Sequence, residues 1–489
     1  LAAKNIDRIQ NFTKNCVEHH DLCRSSQTGF VPTRVIDVRG DSDNIKFSRA
    51  PAGSRYTALS YCWGLPRKGF EDYKTLPSNF HGRFWRFSLK LQPPAIQDAV
   101  AVTRALGIHY LWVDVLCIIQ GDKDDWFREG RQMEKVYENA FITIAAIATD
   151  SVWQSFLDRP STCTSVGFAG TNGAVGEHVN TLTFRYPFCK DNSRFMLDAP
   201  WTQRAWCMQE QALSTRTLHF TKQFFYLECL YAHEMEIQTH GPPTRNLKPW
   251  HKHGESKERV DFNRIHRDWY SIVEQYTTRK ITYDSDRIIA IAGLANRVSR
   301  VLPGDKYLKG LWLNDISRGI LWTPDSQFQP KARSEGMPSW TWVSYPAAVL
   351  YDAIDINDDD EERPRSMCSA HVSSNEDKLI LLGKCLQLRD LFPDESVVPE
   401  EYEVDTGRSE PNAWKLWIDI RGEVVKPSMA VAFAVRTTAF EVSGLLLDRF
   451  CDKDLPGEAT YCRKGYFELS HEEGQSLFEE INEGQVSIV

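Results

Sequence analysis

The segment Arg204–Ser214, RAWCMQEQALS, sets one carboxylate among residues that otherwise build a core. Read as a helix, it places Trp206, Glu210 and Leu213 at i, i+4 and i+7, on one face. A carboxylate in such partly dry surroundings interacts more strongly with a developing charge than one in water. Glu210 is therefore the first catalytic candidate, and Arg204 and Trp206 beside it are candidates for substrate contact. The structural alternative pairs Glu210 with Arg216, Arg204 or a backbone amide, since structural networks also perturb carboxylates.

A second carboxylate, Asp114, interrupts the apolar run His109–Ile119, HYLWVDVLCII. At the carboxyl end of a strand in an open α/β sheet it would face a ligand crevice and bind a hydroxyl. Alternatively it accepts backbone hydrogen bonds and fixes the Leu116–Gln120 turn; a buried unpaired Asp is too costly to be idle. Ser60, Trp63 and Gly64 follow another short apolar run, YTALSYCW. Ser60 could donate to a phosphate or carboxylate, and Gly64 could admit a ligand close to the backbone. Trp63 could stack on a base, though a packed Trp on a tight turn is the plainer reading. Gln120 is a further polar candidate. Asp124, Asp125 and Glu129 suit the positive end of a helix dipole.

Other chemistry is weaker. CVEHHDLC (16–23) carries zinc-type ligands. On one continuous helix, however, Cys16 and Cys23 stand ~10 Å apart along the axis, so a buried helical face is expected and no metal. The glycines of GFAGTNGAVGEH (167–178) do not follow GxGxxG, and no strand directly precedes them, which points to a surface loop. His266–Asp268, HRD, lacks the Gly-rich loop and DFG of a kinase. Neither GxSxG nor HExxH occurs.

The elements that must hold these residues follow from periodicity. Residues 1–55 read as a polar lead-in. Tyr56–Trp63, His109–Ile119 and Phe141–Ala148 read as buried strands. Ala95–Leu106, with Gly107 as its cap, and Asp125–Ala140, with a stripe of Trp126, Met133, Val136, Tyr137 and Ala140, read as helices. The alternation predicts a parallel α/β layer. Leu65–Pro94 looks like a loop region and Ser151–Ala199 like an irregular insertion; Thr217–Cys229 is a further strand. Asp261–Val301 and Lys309–Leu321 look helical, and Pro338–Val343 reads as an aromatic strand. Asp352–Arg363 is an acidic linker. Lys378–Leu388, Trp414–Ile420, Ala430–Val435, Phe440–Leu447 and Tyr466–Leu469 suggest a small antiparallel β unit.

Composition narrows the function class. The 489 residues carry a formal net charge of -8 and no long basic run, which disfavours nucleic-acid binding. No apolar run approaches the ~18 residues of a membrane helix, and no leader is visible at the start. Twelve cysteines without a CxxC read as reduced thiols of a cytoplasmic protein.

Several motifs, in order, resemble the fungal heterokaryon-incompatibility (HET) domain family. They are YTALSYCWG (56–64), AIQDAVAVTRALGIHYLWVDVLCIIQGDKDDW (95–126), MEKVYENAFITIAA (133–146) and RAWCMQEQALSTR (204–216). YTTRKITYDSDRIIAIAGLA (276–295), KYLKGLWLNDISRGILW (306–322) and MPSWTWVS (337–344) look like segments that follow this domain. One departure is LQPPA (91–95), where the family usually reads Leu-Pro-Lys-Thr. The resemblance implies a core similar to Toll/interleukin-1-receptor (TIR) domains, a flavodoxin-like parallel sheet. Many TIR domains hydrolyse NAD with one glutamate in a motif like Trp-Cys-Leu-x-Glu, which Trp206–Glu210 matches as Trp-Cys-Met-Gln-Glu. Cleavage of the nicotinamide–ribose bond passes through an oxocarbenium-like state that a nearby carboxylate stabilises.

The expected organisation is a lead-in (1–55), a HET core (56–230), a helical extension (231–345), the linker (346–365) and a C-terminal β-rich unit (366–489). The leading expectation is a non-self recognition and cell-death protein that hydrolyses NAD or a related nucleotide, as substrate, without a bound cofactor. One rival is a cyclase, isomerase or hydrolase of specialised metabolism, protonating a small hydrophobic substrate. The other is a non-enzymatic TIR-like module that self-associates.

Overall fold

The computed structural model describes residues 2–25, 29–65, 73–159, 163–169, 179–185, 199–236, 261–325, 330, 332–351, 365–374, 378–391, 415–419, 425–426, 429–437, 441–450, 460–470, 478 and 481–489. The chain forms two compact units, Leu1–Glu255 and Ser256–Val489. Of the GFAGTNGAVGEH segment, Gly167–Ala169 end a strand, contrary to the expectation that none directly precedes it; residues 170–178 and the acidic segment 352–363 lie outside the described residues.

Four strands make the parallel centre of the first unit: β3 (Tyr56–Ser60), β5 (Tyr110–Trp112), β6 (Ile142–Ala145) and β9 (Arg216–Phe220). Their spatial order is β5-β3-β6-β9, and all three pairings are parallel. Every residue of these strands is buried, as a sheet covered on both faces requires. Between them run α3 (Pro94–Ala105), the short α4 (Asp114–Cys117), α5 (Lys123–Gly130), α6 (Met133–Asn139) and α7 (Ala205–Leu213). Pro94 opens α3 within its first turn, and Gly107, at φ 72°, terminates it in the left-handed region.

The sheet is mixed rather than wholly parallel. On one side it continues through β1 (Val35–Asp37), β2 (Asn44–Ser48) and β4 (Phe87–Ser88). On the other it continues through β10 (Phe225–Cys229) and β11 (His233–Met235). All five additions are antiparallel. Residues 1–55 are therefore part of the fold: α1 (Ala3–His19), α2 (Asp21–Ser25), β1 and β2 come from the expected lead-in. Strands of three and five residues carry too little alternation to stand out in sequence.

Other expectations are corrected in detail. The run His109–Ile119 is a three-residue strand followed by the α4 turn, because Asp114 accepts the Val115 amide at 2.6 Å and turns the chain. Asp125–Ala140 is two helices, broken at Arg131–Gln132, and Trp126 on its expected stripe stays 36% exposed. Thr217–Cys229 is the β9–β10 hairpin, turned at Thr221. The insertion Ser151–Ala199 contains a hairpin of β7 (Cys163–Ala169) and β8 (Val179–Arg185).

In the second unit, Asp261–Val301 is two helices, Phe262–Thr277 and Ile289–Ser299, the first capped by Asp261. Lys309–Leu321 cannot be one helix: Lys309 and Gly310 have φ of 44° and 106°. That left-handed pair closes a small hairpin, Tyr307–Leu308 with Leu311–Trp312. Pro338–Val343 ends in a 3-10 turn, Trp342–Ser344, rather than a strand. Trp269 and Trp342 both donate to the Gly310 carbonyl, at 3.0 and 3.1 Å, so the aromatic motifs converge on one turn. The C-terminal β segments form a separate eight-stranded sheet, antiparallel except where Thr460–Ser470 meets Glu483–Ile488. Among the described residues no helix is long and apolar enough to cross a membrane.

Candidate active site

Ser60 ends β3, and Asp114 follows β5 by two residues. Adjacent parallel strands thus bring both side chains to the carboxyl edge of the sheet, where ligands bind in open α/β folds. Glu210 reaches the same edge from α7, which packs on β3 and α6. Ser60 Oγ donates to Glu210 Oε2, and Trp201 Nε1 donates to Ser60 Oγ at 2.8 Å. Because Trp201 occupies a lone pair of Ser60, the serine proton is directed to the carboxylate.

Asp114 is held by three donors: Tyr61 OH at 2.9 Å, Trp63 Nε1 at 2.8 Å and the Val115 amide. Asp114 thus takes the turn-fixing role through the Val115 amide, and its charge also acts on Glu210. Arg204, half-buried, donates to the Tyr61 carbonyl at 3.2 Å and lies near enough to favour the ionised form of both acids. Glu210 is only 6% exposed, whereas Trp63, Asp114, Arg204 and Trp206 are half-buried. Glu210 is the most deeply buried of these five side chains.

Burial pushes Glu210 up to about 7, and the Asp114 charge adds to this against the pull of Ser60, Arg204 and Tyr137. Burial also pushes Asp114 upward against its three donors. A glutamate raised from its usual 4.5 holds its proton more firmly in the folded chain than in the unfolded one. Its contribution to stability is complete below pH 4.5 and is lost as pH rises to about 7. At about 1.4 kcal/mol per pH unit this amounts to roughly 3 kcal/mol. Glu210→Gln is therefore expected to flatten the decline in melting temperature across this window, read by thermal denaturation at stepped pH; parallel profiles for variant and wild type would refute the burial account.

Several roles change on inspection. Gly64 has φ 81°, and a Cβ there would stand 2.9 Å from the Ser151 backbone. Ser151, not a ligand, is what approaches this glycine. Gly64→Ala is expected to cost about 1–3 kcal/mol in chemical denaturation, from left-handed strain and that clash. Trp63 has Lys74 Nζ 5.6 Å from its ring centre and gives its N–H to Asp114, so it braces the edge. Gln120 is occupied within its own turn, donating to the Ile118 carbonyl at 3.0 Å. Asp125 and Glu129 are buried against Arg34, with Asp125 at 2.5 Å. They form a buried ion cluster, and Asp122 is the residue that caps the helix. Arg216 bonds the Phe141 and Cys23 carbonyls rather than Glu210.

Three contributors escaped sequence reading. Trp201 follows a segment with no clear pattern. Tyr61 hides inside a strand motif. Tyr137 was legible only as an apolar stripe, yet its single phenolic proton is shared between the Glu210 carboxylate and the Leu59 carbonyl, 3.1 Å away. His219, buried, stacks on Tyr226 at 4.0 Å and meets Trp201 edge-on, which walls the site from the β9 side. A groove of about 650 Å³ lies at the opposite edge, where Arg55, Tyr110 and Phe141 precede or open the strands.

Residues 56–210 match the family model described as Heterokaryon incompatibility protein (HET). The match begins at the first residue of β3 and ends on Glu210, so it contains Ser60, Trp63, Asp114, Arg204 and Glu210. No curated protein and no solved structure matches the chain.

Proposed function

Because this chain carries a heterokaryon incompatibility domain, a family of fungal non-self recognition, we propose that its first unit cleaves the N-glycosidic bond of NAD or a related nucleotide, with Glu210 as the reacting carboxylate. The observation that carries this reading is Glu210 itself: a nearly dry glutamate, raised to about 7, bonded to the serine that ends the central strand.

The TIR- or flavodoxin-like reading of the core is supported by strand order. In chain order, the parallel strands lie 2-1-3-4, and the order reverses at β3. Ligands of such sheets sit at that reversal, outside the carboxyl ends. Ser60 is the residue at that point.

In the proposed reaction the nicotinamide–ribose bond breaks with its electron pair leaving on nicotinamide. The ribose carries oxocarbenium character, which the ionised Glu210 stabilises. Water then adds to the sugar carbon and loses a proton to solvent. Ser60 and Trp201 hold the carboxylate in one orientation, so little reorganisation accompanies charge development. Arg204, half-buried, supplies a positive charge for a phosphate. The test is nicotinamide release by the purified full chain from NAD, wild type against Glu210→Gln. Equal rates remove Glu210 from the mechanism.

One observation favours a second reading, acid catalysis on a small hydrophobic substrate. A glutamate near 7 is half protonated at neutral pH, and the Cys62, Trp201 and Tyr226 cluster beside it is apolar. The two readings have opposite pH signs. A carboxylate that stabilises charge gives a rate rising through pH 7, and an acid that donates its proton gives a rate falling there. Concentration-dependent assembly with no turnover would instead favour the interaction module.

A further inference from the structure

The CVEHHDLC segment does not form one continuous helix. α1 ends at His19, His20 takes extended angles of φ -105° and ψ 97°, and α2 restarts at Asp21. This break swings Cys23 back towards Cys16. A fourth residue, Cys229 at the end of β10, arrives from far along the chain. The ligand atoms of Cys16, His20, Cys23 and Cys229 then all lie within 4.8 Å of one another, and all four residues are buried. We propose that these four residues form a zinc site of Cys3His type that fastens the N-terminal helices to the sheet.

The geometry fits the metal. Zinc–ligand bonds of about 2.0–2.3 Å in a tetrahedron set neighbouring ligand atoms roughly 3.5–3.8 Å apart. The His20 Nδ1–Cys229 Sγ separation is 3.4 Å. The donor set is that of closed structural sites, three sulfurs and one imidazole with no place for water.

The surroundings fit the charge. Zinc with three thiolates and a neutral imidazole carries one net negative charge. Arg216, fully buried, places Nε 3.1 Å from Cys16 Sγ. The Tyr231 and Ala232 amides point at Cys229 Sγ at 3.4 and 3.2 Å. The Tyr231 ring packs 4.6 Å from that of His20, tilted by 35°. Such outer partners orient ligands and tune the metal. Cys16, His20, Cys23 and Cys229 all lie outside the matched span 56–210, so the site belongs to what surrounds that domain in this chain. It does not depend on the reading of Glu210.

The test uses the full chain, purified without chelator from zinc-supplemented medium. Elemental analysis is expected to find about one zinc per chain. Cys229→Ser is expected to lower that content about tenfold or more, while His20→Cys, which keeps four soft ligands, and Cys368→Ser, outside the cluster, retain it. Should Cys229→Ser fail to fold, wild-type protein stripped with chelator and refilled with Co(II) is expected to show the intense visible absorption of tetrahedral thiolate coordination. A chain purified free of zinc whose melting temperature does not rise on adding zinc would overturn the proposal. So would a Cys16–Cys23 disulfide in the freshly purified protein, or a stripped chain that gives no cobalt–thiolate band.

Discussion

Glu210→Gln is expected to lower nicotinamide release at least about 100-fold, the scale on which a single charge-stabilising group acts in a preorganised site. Glutamine keeps the size of the side chain and can still accept from Ser60, so Trp201, Ser60 and α7 have no reason to move. What it removes is the negative charge. The wild-type rate is expected to rise through about pH 7 and level off above it, following ionisation of Glu210. Ser60→Ala is expected to give a smaller loss and to push the rate profile to higher pH, because the serine donor holds the carboxyl down. Chromatography of nicotinamide against pH checks all three statements, and a Gln variant as active as the wild type would end the carboxylate mechanism.

The second large effect lies in the other unit. Arg463 is fully buried; its Nε meets Asp419 at 2.9 Å, its guanidinium donates to the Ile320 and Trp322 carbonyls at 2.5 Å, and it stands 3.6 Å over the Trp322 ring. Arg333 reaches the same Asp419 at 2.6 Å. Burial would raise Asp419, but the two guanidinium groups outweigh it and hold the acid below its usual value. Arg463→Ala is expected to destabilise this unit by about 3–5 kcal/mol, because it leaves two buried carbonyls without this donor and Asp419 with Arg333 in place of two guanidinium groups. Tryptophan fluorescence in denaturant is a suitable readout, since Trp322 lies under the guanidinium. With a lowered folded value, the Asp419 contribution is present above pH 3.8 and is lost as pH falls below it. The wild type is therefore expected to lose more stability on acidification than Arg463→Ala; a variant as stable as the wild type would show that the ion cluster carries little.

The parts legible in the sequence were those with long or two-sided patterns. Strands β3, β6 and the start of β5 are apolar on both faces, and α3 carries both Pro94 and Gly107 as punctuation. Glu210 was legible because a carboxylate on a Trp–Leu face breaks a rule that core residues obey. Asp114 stood out for the same reason. What failed was local geometry that only tertiary packing decides. Gly64 reads as an opening in sequence, but Ser151 fills the space. The Cys16–Cys23 spacing measures too long on a straight helix, and only the break at His20 brings those thiols together. Lys309 looks like helix surface, yet the turn around Gly310 holds it at positive φ. The flanking strands β1, β2 and β11 are too short to alternate visibly.

Those short flanks bear on how copies of the chain could meet. Among the described residues the large sheet ends in β4, two residues long, on one side and in β11, three residues long, on the other. So little bare backbone is a poor template for an incoming strand, and brief margins of this kind are how native sheets resist edge-on polymerisation. Assembly through this sheet would therefore dock side-chain faces rather than add strands at β4 or β11.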